Sequence, residues 1–152
     1  NCLIVDDTVH LVDFEWGGLQ NALIDGVFVW IHFPTCWCVN KLPDGLSDEL
    51  LAVYRDRLCD VLDVDERNFN AGLIAAAVLG VVTMFRMDPF PEDFQWGIST
   101  IRQRWLLRLE MLARSAADFG FPGVGEASAR LLEHVRDEWS DVEPMPLYPA
   151  FC

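Results

Sequence analysis

The chain has 152 residues, 52% of them hydrophobic, with six Trp and ten Phe, enough for a sizeable apolar core and inconsistent with disorder. Its net charge is −13, from 11 basic and 24 acidic residues, which argues against a phosphate-backbone partner such as DNA or RNA. Its longest apolar run, residues 71–85, stops at Arg86, short of the roughly 20 residues a bilayer crossing needs.

The first element is a hairpin. Cys2-Leu3-Ile4-Val5 is an apolar run, Asp6-Asp7-Thr8 a turn, and Val9-His10-Leu11-Val12 a second run leading into Asp13-Phe14-Glu15. Asn1 stands at the entrance of this hairpin and Asp13 at its exit. Two oxygen donors so placed suit a hard divalent cation beside a phosphate chain, because Mg2+ takes few ligands from protein. The plainer reading is a simple hairpin with a terminal Asn and a turn-proximal acid. A chain that opens on Asn directly into strand-like sequence is expected to be a piece of a longer protein. An apolar hairpin also needs something to pack on.

Gly17-Gly18 ends the strand pattern, and residues 19–30 read as an apolar helix weakened by Gly26. Pro34 closes that helix and opens a loop over 34–46 that carries Cys36-Trp37-Cys38 and the turn Pro43-Asp44-Gly45. Ser47 is the expected N-cap of the next helix, with Asp48 and Glu49 in its first turn and Leu50, Tyr54, Leu58 and Leu62 on its buried face. Residues 66–87 read as a central helix, apolar nearly all round and stopped by Asp88-Pro89-Phe90-Pro91. A long amphipathic helix is expected over 94–119, burying Ile101, Trp105, Leu109, Leu112 and Ala116 with its arginines largely elsewhere. Gly120-Phe121-Pro122-Gly123 turns the chain into a last helix over 125–139 that buries Leu131, Leu132 and Val135. The proline-rich end lies over the surface. The expected fold is mainly α: an N-terminal β-hairpin followed by a bundle of four to five helices, in a single domain over 1–152. Within it, 1–15 form the hairpin, 19–140 the helical part and 141–152 an irregular tail.

The hairpin with Asn at its entrance and Asp-Phe-Glu at its exit, feeding a helical domain, resembles the C-terminal lobe of the protein-kinase-like small-molecule phosphotransferases. The nearest likeness is to the aminoglycoside phosphotransferase and choline kinase superfamily. Asn1 matches the last position of that family's H-x-D-x-x-x-x-N loop, and Asp13 its metal-binding aspartate. The resemblance implies that both hold Mg2+ on the phosphates of ATP. It also implies that Asp25, in Ala22-Leu23-Ile24-Asp25-Gly26, steadies the catalytic loop by accepting hydrogen bonds from its backbone. Glu15 either touches a cationic acceptor or is a solvated or arginine-paired acid. The family's catalytic aspartate and its N-terminal lobe, with the glycine-rich loop and lysine, fall upstream of Asn1. No catalytic residue is therefore present here, and the chain alone is not expected to turn over.

Two function classes follow. One is the C-terminal lobe of an ATP- and Mg2+-dependent phosphotransferase acting on a hydroxyl of a small cationic molecule. The other is a non-catalytic acidic helical module that binds a basic partner. No nucleic-acid or membrane partner is expected under either. Cysteines at 2, 36, 38, 59 and 152, an odd number without a signal peptide, suggest reduced thiols and a cytoplasmic protein. His32, Cys36 and Cys38 have H-x3-C-x-C spacing, which is not a standard zinc pattern, so thiols packed beside Trp37 are expected instead. Trp30, Trp37, Trp96 and Trp105 read as core rather than as an aromatic cage.

Overall fold

The computed structural model describes residues 2–12, 18–19, 21–32, 36–84 and 92–152. Strands β1 (Cys2–Val5) and β2 (Thr8–Leu11) pair antiparallel, with Cys2 opposite Leu11 and Val5 opposite Thr8. Asp6 and Asp7 form a two-residue loop at φ 48° and 61°. Positive φ at both positions is what a primed hairpin turn needs, and Asp tolerates it better than most residues. Thr8 therefore starts the second strand instead of extending the turn, and that strand ends at Leu11 rather than Val12. The hairpin leaves its apolar side chains uncovered: Leu3, Ile4, Val5, Val9 and Leu11 are all exposed.

Helix α1 (Ala22–Trp30) starts later than the apolar pattern does. The Asn21 side chain accepts the Leu23 amide at 3.0 Å and caps it there. Leu23, Val27 and Trp30, at helical spacing, are buried. Helix α2 (Leu46–Cys59) is preceded by Gly45 at φ 89°, and its N-cap makes no side-chain hydrogen bond. A left-handed residue at that point favours glycine, so Ser47 lies inside the first turn, buried, and not at the cap. Leu51 is buried on the inner face with Tyr54 and Leu58 packed beside it, whereas Leu50 and Leu62 are exposed.

Helix α3 (Glu66–Met84) begins where the Asp65 carboxylate accepts the Asn68 amide at 2.7 Å. Phe69, Leu73, Ile74, Ala77 and Val81 are buried, but Leu79 and Val82 are exposed, so this helix is apolar all round and buried only on one side. The expected stop at Asp88-Pro89-Phe90-Pro91 lies outside the described residues. Helix α1 packs against both α2 and α3. Its approach to α2 is close because Gly26 has no side chain: a Cβ there would meet the Tyr54 ring at 2.5 Å. The Tyr54 hydroxyl donates to the Ala22 carbonyl at 2.6 Å and ties the two helices. Tyr54→Phe should cost about 1 kcal/mol, read as a lowered denaturant midpoint at unchanged slope. An unchanged midpoint would mean that water replaces the bond.

The expected helix over 94–119 is divided. Strands β3 (Gln95–Trp96) and β4 (Ser99–Thr100) form a second, very short hairpin turning through Gly97 at φ 69°. Helix α4 (Ile101–Ser115) begins only after it. Thr100 and Gln103 make a full capping box: the Thr100 hydroxyl accepts the Gln103 amide at 3.2 Å, and the Gln103 side chain accepts the Thr100 amide at 2.9 Å. Helix α5 (Pro122–Glu138) starts at a proline, whose fixed φ suits the first helical turn, and so begins three residues before the expected 125.

One apolar core runs through all five helices, with Trp30 edge-on to Phe119 and Trp105 edge-on to Trp139. Ile101, Trp105, Leu109, Leu112 and Ala116 are all buried in it, while Leu131 is exposed and Leu132 and Val135 carry the inner face of α5. A smaller core joins Val39, Leu107 and Met145. The tail runs over the surface and is anchored there: Met145 is buried, Lys41 and Leu147 form a parallel bridge, and Pro149–Phe151 make a short 3-10 turn. No helix among the described residues is long and apolar enough to cross a membrane.

Candidate functional site

Asn1, Asp13 and Glu15 lie outside the described residues, so the metal and acceptor positions expected from the sequence have no observed geometry. Cys2 and Leu11, the pair at the open end of the hairpin, are described. Asp25 sits in the first turn of α1 and is exposed. Its charge acts on the Tyr54 phenol, whose pKa is raised first by burial and then by this carboxylate. Among the described residues, no three His, Cys, Asp or Glu side chains gather as a metal site, so His32 does not complete a cluster with Cys36 and Cys38.

The most ordered polar arrangement lies elsewhere, where α4 meets the loop that follows α1. Arg104, one of the arginines expected largely away from the buried face, is 1% exposed. Its guanidinium donates to the Cys36 carbonyl, to the Trp37 carbonyl at 2.8 Å and to the Trp96 carbonyl at 2.6 Å. The same group lies 4.5 Å from the centre of the Trp96 ring, within cation–π range. Burial pulls the Arg104 pKa down, with the Cys36, Tyr148 and Cys38 groups acting in the opposite direction. One helical turn on, Arg108 is also buried, and burial followed by the Arg104 charge lowers its pKa to about 10. Both arginines remain cations at neutral pH.

The described part of the loop, from residue 36 on, is held at several further points. The Ser99 hydroxyl donates to the Val39 carbonyl at 2.9 Å, and the Lys41 amide donates to the Pro146 carbonyl at 2.8 Å. The Tyr148 amide closes the same bridge on the Lys41 carbonyl at 3.1 Å. Trp37, expected to be core, is instead 62% exposed, and Cys36 and Cys38 flank it half-buried. Trp30 and Trp105 are buried as expected, and Trp96 is partly so.

A small cleft of about 30 Å³ opens beside this loop, lined by His32, Lys41, Asp44, Ser47, Glu110 and Arg114 among others. Asp44 pairs with Lys41 at 3.1 Å and Arg114 at 3.7 Å, and the hydrogen bond from Lys41 is the main reason its carboxyl pKa is lowered. His32 closes the inner side, 4% exposed and at φ 57°. Neither of its ring nitrogens has a well-formed hydrogen bond. The mixed charges of the rim and the buried, uncharged imidazole make this a poor place for a strongly charged ligand.

Sequence reasoning missed Arg104 and its loop because their partners are more than sixty residues apart in the chain. A local signal was present only for the start of α4, in the Thr100-x-x-Gln103 capping pattern and in Gly97. No protein-family model, no curated protein and no solved structure matches the chain.

Proposed function

We propose that the chain is the helical C-terminal lobe of an ATP- and Mg2+-dependent phosphotransferase acting on a hydroxyl of a small cationic molecule. The observation that carries this reading is the hairpin's register. Cys2 pairs with Leu11 at the open end of the hairpin, so β1 begins and β2 ends side by side ahead of a helical body. In this reading Asn1 and Asp13 hold the metal that neutralises charge on the transferring phosphates, and Glu15 faces the acceptor's positive charge. Asp25 then steadies the loop before Asn1. The uncovered apolar hairpin gives further support, since a second lobe carrying the nucleotide-binding loop would bury it. A cytoplasmic location belongs to the same proposal.

The test uses a protein that includes the upstream lobe. Asp13→Ala should lower Mg-ATP-dependent phosphorylation by on the order of a hundredfold or more while leaving the melting temperature in place. Full activity in that variant would remove Asp13 from the mechanism. The net charge of −13 favours the other reading, an acidic module for a basic partner. That reading predicts salt-sensitive binding of a basic peptide, indifferent to Asp13→Ala and to nucleotide.

A further inference from the structure

Two thiols meet in the loop that Arg104 holds. Cys36 Sγ and Cys38 Sγ are 3.1 Å apart, and both cysteines are free. In an extended chain, residues two apart share a face but sit near the outer limit of the Cα separation that a disulfide bridges. Here Trp37 and Cys38 lie in a turn, which draws the sulfurs together. Closing to a bond of about 2 Å leaves roughly 1 Å of movement.

The turn is held from two further directions besides its own bend. Arg104 donates to the carbonyls of Cys36 and Trp37. Gly97 lies so close that an added Cβ would stand 1.7 Å from the Trp37 carbonyl oxygen. Ordering of the two cysteines is thus done by folding, and the entropy lost when they join is small. The site is also reachable, since both thiols are only half-buried beside exposed Trp37.

We propose that this held turn makes Cys36 and Cys38 a dithiol–disulfide pair that exchanges with small disulfides of the glutathione type. Cys36 sulfur, as thiolate, attacks one sulfur of the oxidised tripeptide, forming a mixed disulfide and expelling one glutathione thiolate, which takes up a proton. Cys38 then releases its proton to solvent and attacks the Cys36 sulfur, forming the internal bond and expelling the second glutathione thiolate. Two protein thiols lose two electrons and one external disulfide gains them. Contact with Cys36, followed by burial, raises the Cys38 thiol pKa, which suits Cys38 to the second, resolving step. A ring closed over a single intervening residue is strained, which makes the bond readily reduced again.

The experiment uses the full chain with Cys2, Cys59 and Cys152 replaced by Ser, equilibrated in glutathione buffers, acid-quenched, alkylated and weighed intact. In oxidising buffer the main species should lack two hydrogens, carry no glutathione and accept no alkylating group, and reduced glutathione should reverse this. Adding Cys38→Ser should leave a lasting glutathione adduct on Cys36. The same chain in denaturant should show a disulfide-to-dithiol ratio at least about tenfold lower at the same buffer ratio. A native chain that stays a dithiol, or that collects two glutathiones, would overturn the proposal. So would a ratio that is the same folded and unfolded.

Discussion

Arg104→Ala should destabilise the fold by about 3–5 kcal/mol, measured as the shift of a denaturant midpoint. Among the described residues the three acceptors of this guanidinium are neutral carbonyls, those of Cys36, Trp37 and Trp96, and the residue is 1% exposed. Truncation removes their donors together and leaves a void against the Trp96 ring. Buried acceptors without donors cost more than the net worth of the bonds they replace. Arg104→Lys is expected to recover less than half of the loss, because one ammonium does not match a planar fork aimed at three oxygens. A loss below about 0.5 kcal/mol in the alanine variant would mean that water reaches these carbonyls and that the loop is not held as described.

A second consequence concerns Arg108, four residues on and on the same side of α4. The Arg104 charge is one of the two causes that depress its pKa, so each guanidinium makes the other harder to bury. The two substitutions should therefore not add. Removing Arg104 costs the loop its donors but also relieves Arg108 of a like charge, and a double-mutant cycle reads the difference.

These arginines show where sequence reasoning stops. The stripe Ile101, Trp105, Leu109, Leu112 and Ala116 was legible because a helix repeats every 3.6 residues, and all five are buried. Arg104 and Arg108 sit beside that stripe and read as solvated charge, the usual fate of helical arginines. Two of the carbonyls that make burial of Arg104 tolerable come from a loop more than sixty residues earlier, and no local pattern announces them. The order of hairpin and helices was legible for the same periodic reason, as α1 to α5 and β1–β2 bear out. Boundaries slipped where a single residue decides. Asn21 shortened α1, Gly45 displaced the cap expected at Ser47, and Gly97 with Thr100 cut a short hairpin from what looked like one helix. The anchoring of the surface tail was not legible because Met145 finds its partners, Val39 and Leu107, far away in the chain. Of the expected site, the hairpin's register and the position of Asp25 are visible, while Asn1, Asp13 and Glu15 stand outside the described residues.

Stability should fall between pH 6.5 and about 4 by roughly 3 kcal/mol on account of His32 alone. Burial is the largest cause of its lowered pKa, followed by the charges of Lys41, Arg108 and Arg114, while the nearby Trp30 carbonyl acts the other way. The folded pKa is about 4 against an ordinary 6.5. Within that window the unfolded chain binds the proton and the folded chain does not, so stability drops as pH drops and levels off once both are protonated. Above pH 6.5 the imidazole is neutral in both states and contributes no slope. Asp44, Asp48 and Glu110, acidic side chains, also line the cleft. A variant separates the contributions. His32→Asn keeps a residue that tolerates the left-handed backbone at φ 57° but does not titrate. Its stability should change less between pH 7 and pH 4 than that of the parent chain, by about 3 kcal/mol, leaving only the carboxylate part. Curves of equal steepness, or an NMR titration of the His32 ring near pH 6.5, would mean that the imidazole is hydrated in solution and that the cleft admits water down to its inner wall.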